Sequence, residues 1–207
     1  MINAIYGKKI GCTQIFGENG DALFVTAIEA EKCVVVQVKN NEKDGYNALK
    51  VGLGKIKDKK ASRPHKGAFT KNKVDLKKYL REIRVDEFDR EYKPGDILDA
   101  GIFKPGDKVK ITGKSKGKGF TGTIKRYGFH RGRMTHGSHA HRIPGAVGMC
   151  ATPAKIAKGK KMPGRMGGKR VTVKGLEIID VNKEQNMILV RGSVPGAKGN
   201  LVFLKKI

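Results

Sequence analysis

Along much of the chain, apolar residues fall at every second position in short runs broken by glycine and asparagine. That rhythm predicts strands. Ala4–Tyr6 and Ile10–Phe16 are two such runs flanking a Gly-Lys-Lys turn. Glu18-Asn19-Gly20-Asp21 carries hairpin chemistry, because Asn-Gly tolerates the positive φ of a tight turn. Ala22–Ile28 alternates around Leu23 and Val25. Lys32–Lys39, with Val34, Val35, Val36 and Val38, is a β-branched run that predicts a strand buried on both sides. After the turn at residues 40–45, Tyr46–Leu53 is the next strand, and Leu80–Val85 alternates again. Short strands at this spacing predict a barrel or sandwich rather than a parallel sheet.

Two strings echo each other eleven residues apart: Tyr92-Lys93-Pro94-Gly95-Asp96 and Phe103-Lys104-Pro105-Gly106-Asp107. Pro-Gly suits the middle of a type II turn, and the pair predicts two successive barrel corners. Val109–Thr112 opens a further strand, after which the alternation stops. The β pattern resumes with strand-like runs at Val171–Val181, Met187–Arg191 and Leu201–Leu204. Residues 171–207 alone offer too few strands for a core. The economical reading is therefore one β-barrel domain, 1–112 with 171–207, interrupted by an insertion at 113–170. An excursion of about 40 residues running out and back could reach roughly 60 Å at full stretch. A structureless stretch of that length in a compact domain is usually functional.

Charge sharpens this picture. The 207 residues carry 44 Lys and Arg against 19 Asp and Glu, a net +25. From 108 to 176 there is no acid at all, yet that span holds 18 Lys and Arg, about seven-tenths of the net charge. It also holds 14 of the 28 glycines, four of the five histidines and only three aromatics, Phe120, Tyr127 and Phe129. Like charges repel, glycine loses much backbone entropy on ordering, and few apolar groups offset either cost. The span is expected to order only against a polyanion, for which a phosphate backbone is the natural choice. The plainer alternative is a solvated basic loop. A second, weaker basic patch at 54–75 is either a solvated surface loop or a binding patch, with a short helix after Pro64.

Several function classes are disfavoured. Glycine and proline punctuate 113–168 too often for the amphipathic helix of a membrane binder, and no apolar run is long enough to span a bilayer. The first residues lack the basic start and apolar run of a signal peptide. Cys12, Cys33 and Cys150 are odd in number and widely spaced, which suits a reducing cytoplasm. Gly117-Lys118-Gly119-Phe120-Thr121-Gly122 matches a dinucleotide pattern, but no acid follows before Glu177 to hold a ribose. The string from Lys114 to Gly119 reads better as small residues that let backbone N–H groups and lysines approach phosphates. His130, His136, His139 and His141 lie near Cys150, yet no carboxylate is close to orient an imidazole, and Arg131, Arg133 and Arg142 would repel a dication. Imidazoles stacking on bases or donating to phosphate are the better reading. No metal, cofactor or small-molecule substrate is expected. Catalysis is not expected either, since the conspicuous part of the chain has no carboxylate to act as acid or base.

The strings Tyr6–Gln14, Gly113–Phe120, Lys125-Arg126, Thr135–Ser138, His141–Gly148 and Gly159–Gly167 together closely resemble the bacterial form of the ribosomal protein three family of the large subunit. The resemblance runs from end to end. It implies a mainly β fold: a closed antiparallel, translation-protein-like β-barrel with a long irregular basic extension inserted between strands. It implies direct binding of 23S ribosomal RNA, a part in nucleating subunit assembly, and an extension reaching toward the peptidyl transferase centre. Neighbouring large-subunit proteins would be the other partners, in the cytoplasm and without a membrane. Carried onto this chain, Lys114, Lys116, Lys118, Lys125 and Arg126 would begin the extension. His130, Arg131, Arg133, His136, His139, His141 and Arg142 would form its inward limb. Lys155, Lys158, Lys160, Lys161, Arg165, Lys169 and Arg170 would lie on the return. One departure is visible: where some bacterial members carry a methylated glutamine before Thr152-Pro153, this chain reads Met149-Cys150-Ala151. The alternative function is general nucleic-acid compaction or RNA chaperoning, which would use the same charges without a defined fold partner.

Overall fold

The computed structural model describes residues 2–17 and 19–207. The chain runs through β1 (Ala4–Phe16), β2 (Ala22–Glu29), β3 (Cys33–Lys39), α1 (Asn41–Asp44), β4 (Ala48–Lys55), α2 (Arg63–Thr70), β5 (Lys77–Arg84) and β6 (Ile97–Leu98). There follow β7 (Lys108–Lys114), β8 (Phe120–Thr121), α3 (Thr123–Tyr127), β9 (Gly164–Arg165), β10 (Arg170–Asn182), β11 (Met187–Arg191) and β12 (Leu201–Lys206). Two compact units result, one of residues 1–114 with 170–207 and one of residues 115–169.

In the larger unit, six strands close into a barrel in the order β1-β12-β7-β10-β11-β2, and every neighbouring pair is antiparallel. Closure leaves the barrel no unpaired edge. Alternation sets the two faces: in β7, Val109 and Ile111 are buried while Lys108 and Lys114 are exposed. A four-stranded sheet, β5-β4-β3-β6, stands beside the barrel. Ile5, Ile28, Ile111, Ile178 and Leu204 of the barrel join Val35, Leu49, Leu53 and Ile83 of the second sheet in one apolar core.

The separate sheet corrects the expectation that all strands of 1–112 and 171–207 share one barrel. It also corrects the pair of barrel corners. Asp107 leads into barrel strand β7, whereas Asp96 leads into β6, whose Leu98 pairs with Cys33 in the second sheet. The expected Gly-Lys-Lys turn is absent as well. β1 passes straight through it and absorbs the irregularity as a register shift between Lys9 and Gly11. Gly7 makes this possible: a Cβ there would lie 2.7 Å from Ile28 Cγ2 and 2.8 Å from the Glu29 carbonyl oxygen, so only glycine lets β2 approach so closely. The β2 hairpin fits its prediction where it is described, with Gly20 at φ 80°; Glu18 of that turn lies outside the described residues. β3 is only partly buried on its second face, where Val34 and Gln37 are half-exposed. The stretch after Pro64 is helix α2, fixed by Phe69, which is buried and meets His65 edge-on at 5.2 Å.

Candidate nucleic-acid interface

The 115–169 unit is built from backbone pairing and one small helix rather than from a core. Three hydrogen bonds join Ser115 and Lys169 at its base: the Ser115 amide (2.9 Å) and hydroxyl (3.2 Å) donate to the Lys169 carbonyl, and the Lys169 N–H donates to the Ser115 hydroxyl oxygen (3.2 Å). Lys118 N–H donates to Met166 O and Met166 N–H to Gly119 O, each at 2.9 Å. Phe120 pairs with Arg165 and Thr121 with Gly164. The turn at Gly167 requires glycine twice over, since its φ is 73° and a Cβ would collide with the Lys116 carbonyl oxygen. Helix α3 ends at Gly128, φ 72°, whose N–H closes the last turn on Ile124 O. Arg126 Nη1 donates to Met162 O at 2.6 Å, and its guanidinium lies 5.0 Å from the Tyr127 ring centroid. The two limbs of the unit are thereby fastened near their start. Beyond, the backbone is irregular, with a small loop closed by Gly132 N–H to His141 O and by His141 Nδ1 against Arg133 O, both at 3.0 Å.

Every buried apolar side chain among the described residues lies outside 115–169. Within it, Phe120 is 80% exposed, Met149 75% and Ile143 61%. The cations expected from sequence are displayed in the same way. Lys116, Lys118, Lys125, His130, Arg131, Arg133, His136, His139, Arg142, Lys155, Lys158, Lys160, Lys161, Arg165 and Lys169 are exposed; Arg126 and His141 are half-buried. Lys114 and Arg170 are exposed strand ends of the larger unit. No ion pair among the described residues involves any of these cations. Such a surface can neutralise a polyanion at many points, and it carries no carboxylate. Among the described residues no His, Cys, Asp and Glu cluster could hold a metal ion.

The strand register brings two further cations, Lys110 and Lys205, beside the expected ones. Lys114 stands directly opposite Arg170, and Lys110 opposite Lys205. Like charges facing each other across antiparallel strands are destabilising without a counter-ion. At the other end of the same ladder Lys108 faces Glu177, an ordinary complementary pair. The change from complementary to like-charged rungs occurs along β7 toward Lys114. The signal was legible in the alternation Lys108, Lys110, Lys114, but only the pairing with β12 brings in Lys205.

A mainly β scaffold carrying an acid-free cationic limb defines a basic protein whose display of charge suits a polyanionic surface. The family described as Ribosomal protein L3 matches residues 86–187. The chain is 50% identical over 206 residues to the large ribosomal subunit protein uL3 of Carboxydothermus hydrogenoformans, covering 100% of this chain and 98% of that one. It is 49% identical to uL3 of Acetivibrio thermocellus (99% and 97% covered) and 48% identical to uL3 of Syntrophus aciditrophicus (100% and 94%). The chain belongs to the uL3 family of ribosomal proteins.

Proposed function

We propose that this chain is a structural constituent of the large ribosomal subunit in the cytoplasm. The 115–169 unit with the adjoining strand ends binds 23S ribosomal RNA. We further propose that this binding helps nucleate subunit assembly and that the irregular limb reaches toward the peptidyl transferase centre, with neighbouring large-subunit proteins as further partners. The observation that carries the reading is the set of cations along 114–170 displayed without a carboxylate partner on a limb that buries no apolar side chain. Its glycines and exposed imidazoles suit irregular RNA, whose cavities and splayed bases a regular duplex does not offer. The proteins it resembles are named for the large subunit, and none of the names is that of an enzyme.

Binding of the full chain to 23S ribosomal RNA across a salt series tests this. Six to ten phosphate contacts imply a loss of roughly 10³–10⁵ in affinity between about 50 and 200 mM salt. Preference for 23S ribosomal RNA over duplex DNA should persist at physiological salt. Equal affinity for the two would replace the proposal with general nucleic-acid compaction.

A further inference from the structure

The larger unit holds a recess lined by its own residues alone. Its volume is about 440 Å³, and Tyr6, Glu82, Arg84, Arg170, Phe203 and Lys205 line it. These residues come from β1, β5, β10 and β12, so two sheets build it. The Tyr6 hydroxyl donates to the Glu82 carbonyl at 3.2 Å and ties the barrel to the second sheet there. Tyr6 and Phe203 are cross-strand partners whose ring centroids lie 4.7 Å apart at 42°. Both rings are half-buried, so part of the aromatic surface remains open beside the cations.

Charge in the recess is strongly one-sided. Glu82 is its only carboxylate, and that charge is already satisfied: Lys39 Nζ lies 2.9 Å from Oε1 and the Tyr46 hydroxyl donates to Oε2 at 2.9 Å. Arg84, Arg170 and Lys205 have no ion-pair partner among the described residues. Arg84 is nevertheless held in place, its guanidinium 4.7 Å from the Tyr46 ring centroid. Arg170 and Lys205 are the members of the like-charged rungs with Lys114 and Lys110. The fold therefore gathers cations around an aromatic wall and leaves their repulsion uncompensated.

We propose that this recess receives one unpaired nucleotide of an RNA strand, its base against the Phe203–Tyr6 wall and its phosphate held by Arg84, Arg170 and Lys205. The inference rests on the reading of the chain as a ribosomal RNA binder. An acidic peptide would satisfy the cations but has no use for the aromatic wall. A paired duplex would keep its bases in the stack. A splayed nucleotide uses both features, and the recess falls in the size range of small-ligand sites, about 300–1,000 Å³.

The test uses the full chain with 23S ribosomal RNA and the variants Phe203→Leu, Phe203→Tyr and Arg84→Gln. Loss of one stacked base predicts binding roughly 5- to 150-fold weaker for Phe203→Leu, with an unchanged salt slope. Phe203→Tyr keeps the ring and should bind like the parent. Arg84→Gln should lower the slope of log K against log salt by about 1, the signature of one lost phosphate contact. Parental affinity and slope in both Phe203→Leu and Arg84→Gln would overturn the inference while leaving the proposed function standing. Variants that bind RNA normally but lose a neighbouring protein from reconstituted subunits would also overturn it, by making the recess a protein site. If the parent itself shows no preference for 23S ribosomal RNA over duplex DNA, the broader reading fails and the recess proposal falls with it. Should Phe203→Leu not fold, the Arg84→Gln slope decides alone.

Discussion

At the scale of single residues, the two Pro-Gly-Asp turns share one device and differ in one ion pair. Asp96 Oδ2 accepts from the Lys93 N–H and Asp107 Oδ2 from the Lys104 N–H, each at 3.0 Å. Asp107 has in addition Lys206 Nζ 2.7 Å from its other oxygen. The Lys206 ammonium first, and then the Lys104 N–H, hold the Asp107 carboxyl below its usual range. A carboxyl whose folded pKa is depressed adds stability above its unfolded value, near 3.9, and that stability is lost as pH falls through the folded pKa. Asp107→Asn keeps an acceptor for the turn and removes the ion pair. It should cost less than about 1 kcal/mol at neutral pH, because the pair is partly solvated. The deficit should shrink below about pH 4. Urea unfolding of both proteins at neutral and acid pH measures it, and a gap that ignores pH would remove Lys206 from the account.

At the scale of elements, glycines with no room for a side chain fix how strands approach one another. A Cβ on Gly113 would sit 2.6 Å from the Pro195 carbonyl oxygen, a backbone atom that cannot swing aside, and 3.3 Å from Val202 Cγ1. Gly113→Ala should therefore destabilise the barrel by about 1–3 kcal/mol. Gly117→Ala, where nothing lies within 4 Å, should stay within about 0.5 kcal/mol of the parent. Thermal unfolding of the pair separates packing from backbone entropy. Such glycines also explain which elements could be read in advance. Met187–Arg191 coincides with β11, and Leu201–Leu204 forms most of β12, because each is a short continuous apolar run bounded by turn residues. β1 is harder to read, because Gly7, Lys8 and Lys9 look like a turn, and only contact with β2 shows that Gly7 serves close packing. The separate sheet of β3 to β6 was not legible, since alternation gives a strand its two faces and says nothing of its neighbours. Within the extension, the cationic side chains could be named singly, but the pairing of Lys118 with Met166 depends on a return 48 residues later in the chain. Phe203 and Lys205 follow the same logic: local sequence makes them ordinary strand residues, and only register puts them opposite Tyr6 and Lys110.

At the scale of the whole molecule, apolar burial and positive charge are segregated along the chain. The 1–114 and 170–207 unit contains all of the buried apolar core among the described residues, whereas no apolar side chain of 115–169 is buried. Stability should be divided in the same way, because local opening is easiest where few apolar contacts and few backbone hydrogen bonds must be broken. Between residues 129 and 163, backbone hydrogen bonds run from Gly132 N–H to His141 O and from Lys160 N–H to Ala157 O. The barrel, by contrast, closes through six antiparallel ladders. Trypsin acting on the free protein should cut first at Arg131, Arg133, Arg142, Lys155, Lys158, Lys160 and Lys161, all of them exposed. The nicked halves should stay together, because β7 and β10 remain paired from Lys114–Arg170 to Lys108–Glu177. Adding 23S ribosomal RNA should slow those cleavages more than any in the barrel, since a polyanion supplies the partner that the limb's own composition withholds. Mass spectrometry of the early fragments reads the order of cutting. A limb that resists trypsin as well without RNA as with it would mean that its backbone is stabilised internally, and repulsion among its cations would no longer be grounds for assigning it a polyanionic partner.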